Sequence, residues 1–392
     1  MRSSAGPAAP DRKAREAYFT ASQGELIWAR FRRNRAAMVA ACVLLALVLA
    51  SFFAPLLSPY DPTIAGRDRD YTNGAPQIPR FCDHNGCSLR PFLYTLERTR
   101  SIQTSFRWVT TENTEKRRYV QFFVPGPEYR LFALSFDLPG FAIDIPGIAI
   151  NTRLFGVDSG SIHLFGTDSA GKDIFSRTLH AIWTSLAVGT IGVLIGFVLA
   201  LVIGGISGYR GGWIDGLLQM LTDAVRTIPA IPLFMALAAF MPAEWSAERR
   251  FFFIATILGL ISWPTLARRV RTHLLTERNQ EYVLAAQLCG ASGGHVVRRH
   301  LLPSFTSYII VDLVISFPYM VLSETALSFI GLGLKDPVNS LGVMLQNVTN
   351  TDVLLNYQWY FIPVIFFIVL VLAFVFVGDG LRDAADPYAD HR

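Results

Sequence analysis

Six long apolar runs restrict what this chain can fold into, because a helix that crosses a lipid bilayer needs about 20 mostly apolar residues. The runs cover residues 36–57, 181–206, 217–241, 251–270, 305–330 and 360–377. The third run is the least uniform, since Asp223 and Arg226 lie in its first turns and Pro229 and Pro232 follow them. We predict an all-α polytopic membrane protein with six transmembrane helices.

The charged residues agree with this class of protein. Only 17% of the 392 residues are charged, whereas soluble domains average about 25%. The net charge of +5 is concentrated beside the apolar runs, with Arg30, Arg32, Arg33 and Arg35 before the first run and Arg268, Arg269, Arg271 and His273 at the end of the fourth. Basic clusters in these positions orient membrane helices, so we interpret them as topology signals and expect no nucleic-acid partner.

The first basic cluster predicts a cytoplasmic N-terminus, and alternation of the spans assigns the other segments. The predicted segments are a cytoplasmic region at 1–35, the first span at 36–57, an extracytoplasmic insert at 58–180, a transmembrane core at 181–380 with a cytoplasmic loop at 271–304, and a cytoplasmic tail at 381–392. Apolar residues mixed with arginines at 26–33 indicate a helix in the headgroup layer, with an unstructured basic tether as the alternative.

The insert is too long to be a simple connection between two spans. Alternating apolar and polar residues at 119–124 favour strands, and repeated Pro-Gly pairs favour turns, so we expect a small β-rich subdomain. Cys82 and Cys87 flank a turn-forming Asn-Gly pair and are candidates for a disulfide outside the cytoplasm. A metal site that adds His84 is the alternative, but no fourth ligand is evident nearby, and we predict no metal.

Residues 166–173 nearly form a phosphate-binding P-loop, but Asp173 stands where that loop needs Ser or Thr to hold Mg²⁺. We interpret the segment instead as a turn that leads into the second span, with Asp168 or Ser169 as the helix cap. The sequence contains no recognisable zinc-protease pattern and no nucleophile elbow. We therefore predict that the chain is not itself an enzyme.

Charges inside the apolar runs are candidates for a translocation path, because such groups face a bundle interior or water. Glu324 fits either a path or gate, or an interhelical hydrogen bond. For Asp312 we favour the structural interpretation, since it lies nearer the cytoplasmic end of its run. Asp223 and Arg226 are one turn apart, so we expect them to pair on one helix face and include them among the path candidates.

The cytoplasmic loop has a more specific pattern. Residues 281–289 have helix-forming composition and Gly290 is placed to end that helix, while a second helical stretch at 295–302 is expected to stop at Pro303. The residues Glu281, Ala285, Ala286, Gly290, Leu302 and Pro303 resemble the Glu-Ala-Ala loop of ABC-importer permeases. In that family the loop docks into a groove of the cytoplasmic ATPase. Leu284 and His300 depart from the family's usual Glu and aliphatic residues.

Further segments resemble the second permease subunit of dipeptide, oligopeptide and nickel importers. They are found at 28–35, 166–177, 209–213, 281–282, 327–333 and 378–387. The resemblance implies a type I ABC-importer permease fold in the inner membrane of a bacterium. Permeases of this branch with an enlarged outer loop include the type associated with microcin uptake.

This resemblance also implies the partners. They would be a second homologous permease, two ABC ATPase subunits, an extracytoplasmic substrate-binding protein and membrane lipid. ATP and Mg²⁺ would bind to the ATPases, and this chain would bind no cofactor directly. The function implied is half of a translocation path for peptides or peptide-like solutes. An ion-coupled secondary transporter and a membrane-anchored scaffold whose insert is the working part are the alternatives.

Overall fold

The first part of the structure consists of helices that lead into the insert. The computed structural model describes residues 23–386, apart from 63–70, 84–85, 101–107, 132–133, 139–140, 158–159 and 243. Its first helices are α1 (Gln23–Phe31), α2 (Arg35–Phe52) and α3 (Ala54–Leu57). Asn34 caps α2 by accepting a hydrogen bond from the Ala37 amide. Residues 1–22 and 387–392, which belong to the predicted N-terminal segment and tail, lie outside the described residues.

Antiparallel strands form the insert, as the alternating pattern predicts. They are β1 (Arg80–Asp83), β2 (Gly86–Arg100), β3 (Trp108–Leu131), β4 (Leu134–Leu138), β5 (Phe141–Ile145) and β6 (Ile148–Val157). One sheet has the order β1-β2-β3-β6, and β4 pairs with β5 in a separate two-stranded sheet. The 24-residue strand β3 joins the large sheet together, because its first half pairs with β2 and its second half with β6.

Helices make up the rest of the described chain. They are α4 (Ile174–Arg210), α5 (Gly212–Thr227), α6 (Ala230–Ala239), α7 (Ala247–Glu277), α8 (Glu281–Leu288), α9 (Gly293–Val296), a π-helical turn (Val297–Leu301), α10 (Leu302–Ser304), α11 (Thr306–Phe329), α12 (Leu341–Asn347), α13 (Thr351–Asn356), a 3₁₀ turn (Gln358–Phe361) and α14 (Ile362–Ala385). Helix α4 has 37 residues and is therefore about 55 Å long. The insert contacts the first turns of α4, whereas α8 and α9 lie beside its last turns.

Five helices of the described chain are long and apolar enough to cross a membrane: α2, α4, α7, α11 and the 3₁₀ turn with α14. They correspond to five of the six predicted spans. The third predicted span, 217–241, is not one straight helix, because α5 and α6 meet at a bend of 83°. Pro229 lies at the break, and Ile228 before it is extended, as a residue before proline prefers.

Close backbone contact between α4 and α7 forms the centre of the helical part. A Cβ atom added to Gly204 would lie 2.4 Å from the carbonyl oxygen of Ala267, and one added to Gly208 would lie 2.7 Å from that of Arg271. Glycine therefore lets the two helices approach more closely than larger residues would. Helices α11 and α14 pack on the other side of α4, and the rings of Phe317 and Phe374 stack between them at 4.4 Å.

This contact predicts opposite effects for two neighbouring glycines. Gly204→Ala should destabilise the protein by about 1–3 kcal/mol, because the added methyl group has no room beside Ala267. Gly205→Ala meets no atom within 4 Å and should be neutral or stabilising, since alanine favours helix more than glycine does. Thermal unfolding of the two detergent-solubilised variants checks this. Equal melting temperatures would contradict the packing described.

Candidate functional site

The candidate site is the segment Glu281–Ser304, which we call the coupling segment and which contains α8, α9, the π turn and α10. Three of its side chains, Val283, Val296 and Leu301, are completely buried. They pack in one cluster with Val270 and Leu274 near the end of α7. The segment is therefore held rigidly against α7 and is not a loose connection between spans.

A second set of contacts joins the coupling segment to α4. Gly293 lies against the ring of Tyr209, leaving no room for a side chain. The Gln287 amide donates a hydrogen bond to the Tyr209 hydroxyl at 3.3 Å. Arg278, which lies between α7 and the segment, donates to the carbonyl of Tyr209 at 3.4 Å. The position of the segment thus depends on both α4 and α7.

The outer face of α8 is apolar and uncovered in the chain alone. Leu288 is 90% exposed, Leu284 47% and Tyr282 42%. The Tyr282 hydroxyl donates to Glu277 at 3.0 Å. Partial burial raises the pKa of Tyr282, and the hydrogen bond to Glu277 raises it further, so the hydroxyl stays protonated as a donor. Apolar side chains exposed on a rigid helix of this kind are typical of a protein–protein contact.

The residues predicted in this segment occupy distinct places. Glu281 lies in the first turn of α8, where it and Ala285 are exposed, and Ala286 is half-buried in the cluster that anchors the segment. Gly290 follows the helix with a φ of +85°, a conformation that favours glycine. Leu284, which replaces the glutamate of the family pattern, is on the exposed side.

The second helical stretch does not stop at Pro303, which differs from the prediction, because it continues to Ser304. Pro303 lies inside α10. Leu302, the first residue of α10, separates Pro303 from the π turn Val297–Leu301. The Leu302 amide donates to the Val297 carbonyl across that wider turn. A proline ring clashes with the regular α-helical turn before it, and the π turn relieves this clash.

The intramembrane acids differ in their surroundings. Glu324 is completely buried, and its carboxylate accepts hydrogen bonds from Ser185 on α4 at 3.0 Å and from Ser328 at 2.8 Å. This geometry supports the interhelical hydrogen bond rather than a path or gate. Asp223 does not pair with Arg226 as predicted. It accepts from Arg268 on α7 at 2.5 Å, a partner that spacing along one helix could not reveal, while Arg226 is exposed.

Asp312 lies at a cavity of about 440 Å³ between α4, α6, α7 and α11. Its carboxylate is paired with Arg269 on α7. This pairing between two helices agrees with the structural interpretation that the sequence favours for Asp312. The sequence signal for this partner is the basic cluster at the end of the fourth run, of which Arg269 is the member that reaches Asp312.

At the opposite end of α4, residues 166–173 form a buried polar junction rather than a phosphate site. The Asp168 carboxylate accepts a hydrogen bond from the backbone amide of Lys172 and is paired with the buried Arg177. Arg177 also donates a hydrogen bond to Asn339 at 2.6 Å. Lys172 pairs with Asp336 at 2.6 Å. The predicted caps, Asp168 and Ser169, are wrong: Asp173 caps α4 by accepting from the Ser176 amide, since Asp168 is committed to its turn and to Arg177.

Cys82 and Cys87 are joined by a disulfide that links the facing ends of β1 and β2. Cys42 and Cys289 are free thiols. The described residues contain no group of three or more His, Cys, Asp or Glu side chains able to hold a metal ion. His84, the third ligand of the alternative site, lies outside the described residues.

Comparison with known proteins identifies the family. Residues 192–390, about half of the chain, match the model of the binding-protein-dependent transport system inner membrane component. Residues 22–77 match the N-terminal transmembrane domain of oligopeptide transport permease C. The chain belongs to the family of binding-protein-dependent transport permeases. The coupling segment lies within the first match, and the β-sheets of the insert lie between the two.

Individual relatives of this permease are peptide permeases by name. The dipeptide transport system permease protein of Lactococcus lactis is 34% identical over 65% of this chain and 74% of its own length. The oligopeptide transport system permease protein of Bacillus subtilis is 33% identical over 57% of this chain and 72% of its own. A solved inward-facing structure of the MetNI methionine ABC transporter covers 54% of this chain and 96% of its own, with 20% identity and a TM-score of 0.43.

The buried junction of the permease predicts a large effect of Asp168→Asn. The substitution leaves the Arg177 charge buried without its carboxylate and should cost about 3–5 kcal/mol. Glu112→Gln is the matched control, because its ion pair with Arg80 is more than 40% exposed on both sides and should cost less than about 1 kcal/mol. Thermal unfolding in detergent measures both. Equal destabilisation by the two substitutions would contradict the role assigned to Asp168.

Proposed function

We propose that this chain is the permease subunit of an ATP-driven importer for peptides or peptide-like solutes, in which it forms half of the translocation path. The observation that carries the proposal is the coupling segment, whose α8 exposes Leu284 and Leu288 while Val283 anchors it to the bundle. An importer needs such a connection, because the energy of ATP hydrolysis is released in a different subunit. The chain itself binds no cofactor in this proposal, and ATP and Mg²⁺ bind to the ATPases.

The contacts of α7 support transmission from the coupling segment into the membrane. Leu274 on α7 packs against the segment, and Arg269, little more than one turn earlier, lies at the cavity. A rigid helix that carries both groups moves them together. Displacement of the segment by an ATPase would therefore change the cavity without any covalent step in this chain.

The names of the relatives support a peptide as the substrate class. A dipeptide permease and an oligopeptide permease are each about one-third identical to this chain across most of their own length. The proposed assembly contains a second homologous permease, two ABC ATPases and an extracytoplasmic binding protein. In this assembly the insert of this chain faces the binding protein, because it lies at the end of α4 opposite the coupling segment.

The proposed topology places both termini and the coupling segment in the cytoplasm of a bacterial cell, with the chain in the inner membrane. The bent pair α5 and α6 would supply a sixth, broken span. Arg271 at the coupling-segment end supports this arrangement, because it holds Asp215 of α5 through two hydrogen bonds of 2.5 and 2.6 Å. Basic residues at that end of the helices agree with a cytoplasmic position.

The docking role predicts a selective effect of Leu288→Asp. A carboxylate on the exposed face of α8 would have to lose its water in an apolar groove, so ATPase association and ATP-dependent peptide uptake should fall by about tenfold or more. Co-purification of the ATPases and uptake into proteoliposomes measure the two quantities. Leu355→Asp, on α13 at the other end of the bundle and 71% exposed, is the matched control for docking and should leave ATPase association unchanged.

Two further results separate the alternatives. Normal ATPase association and uptake in the Leu288→Asp variant would refute docking through α8. Uptake by the unaltered protein that continues without ATP and stops when the proton gradient is collapsed would instead indicate an ion-coupled secondary transporter.

A further inference from the structure

Two stripes of polar side chains face the cavity between α4, α6, α7 and α11. On α7 they are Ser262, Thr265 and Arg269, and on α11 they are Asp312, Ser316, Tyr319 and Ser323. Each stripe repeats every three or four residues, so each lies along one face of its helix. Polar groups at membrane depth face water or protein rather than lipid, because hydrocarbon solvates them poorly. These stripes therefore form the polar part of the cavity wall, and the other lining residues are mainly apolar.

Asp312 and Arg269 are the charged members of that wall. The Asp312 side chain is 9% exposed and that of Arg269 is 55% exposed. The two charges neutralise each other across the gap between α11 and α7. Glu324, the other acid on α11, is enclosed by serine hydroxyls and does not line the cavity. Of these two acids, only Asp312 lines the cavity, where a solute could contact it.

The pair is not the only contact that holds α7 in the bundle. Helix α7 is already fixed by its backbone contact with α4 at Gly204 and Gly208. An ion pair at a cavity also has a cost, since both charges give up water and long side chains lose freedom. A role toward a solute explains why charges occupy this place in the wall.

We propose that Arg269 and Asp312 bind the two ends of a zwitterionic peptide on the translocation path, and that they pair with each other when the path is empty. The guanidinium group of Arg269 would bind the terminal carboxylate through two parallel hydrogen bonds. The carboxylate of Asp312 would accept from the terminal ammonium group. This inference rests on the proposed function as a peptide permease, and it assigns the substrate-contacting residues.

The volume of the cavity agrees with this class of solute. The cavity of about 440 Å³ lies within the range of small-molecule sites, which is about 300–1,000 Å³. A peptide extends by about 3.5 Å per residue, so binding both of its ends requires Arg269 and Asp312 to separate. Since α7 also contacts the coupling segment, this separation is linked to the position of the proposed ATPase contact.

The test compares uptake of trialanine with uptake of its C-terminal amide and its N-acetyl form. The complete importer, with its binding protein, is reconstituted in proteoliposomes and supplied with ATP. Arg269→Gln should reduce the preference for trialanine over the amide by about tenfold, the scale of one lost charge-assisted interaction. It should leave the preference over the N-acetyl form unchanged. Asp312→Asn should have the converse effect.

The controls assign the effect to the cavity. The same binding protein is used throughout, so a changed preference reports on the permease. Arg382→Gln removes an exposed guanidinium from α14, outside the cavity, and should leave both preferences unchanged. The double variant Arg269→Gln with Asp312→Asn carries no charge in the pair and should assemble while losing both preferences.

Three outcomes are distinct. Absence of ATP-dependent peptide uptake by the unaltered importer would overturn the proposed function itself. Normal uptake, with both preferences retained in the single and double variants, would overturn only the inference about the pair. Failure of the double variant to assemble, while Arg382→Gln assembles, would also overturn it by assigning the pair to helix packing.

Discussion

Helices α4 and α7 touch through their backbones, and the two ends of the molecule are connected by this contact. Gly204 and Gly208 remove the side chains that would otherwise keep the helices apart. In a bilayer, where lipid tails are as apolar as the side chains, close packing of this kind supplies much of the attraction between helices. The first turn of α4 holds the buried junction around Arg177, and its last turns hold the coupling segment. The two helices therefore act as one rigid unit.

The ionisable side chains of the helical bundle have three different kinds of partner. Glu324 is enclosed by hydroxyl donors, Arg268 pairs with Asp223 where both are partly exposed, and Asp312 pairs with Arg269 at a cavity. Desolvation makes an isolated charge costly inside such a bundle, so each requires a partner. The kind of partner separates the roles: hydroxyl groups fix helices in place, whereas a pair beside a cavity can exchange its partner for a solute.

Sequence reasoning succeeded where a property is encoded by consecutive residues. Hydropathy identified five spanning helices, alternation identified the strands of the insert, and helix composition with Gly290 identified α8. It failed where the outcome depends on a residue distant in the chain. Asp223 forms an ion pair with Arg268 instead of Arg226, and Asp168 forms an ion pair with Arg177 instead of capping α4. The break at Pro229 was visible as proline, but hydropathy alone could not give its angle of 83°.

Coupling through α8 can be tested at a position that already carries a reactive group. Cys289 is an exposed free thiol that follows α8 directly, and the cysteines of the insert are joined in a disulfide. In membranes containing the Cys42→Ser variant, Cys289 is labelled with benzophenone maleimide and illuminated. The account predicts labelling from the cytoplasmic side and a covalent product with an ABC ATPase. Labelling only from the opposite side, or illumination that yields no ATPase product, would contradict it.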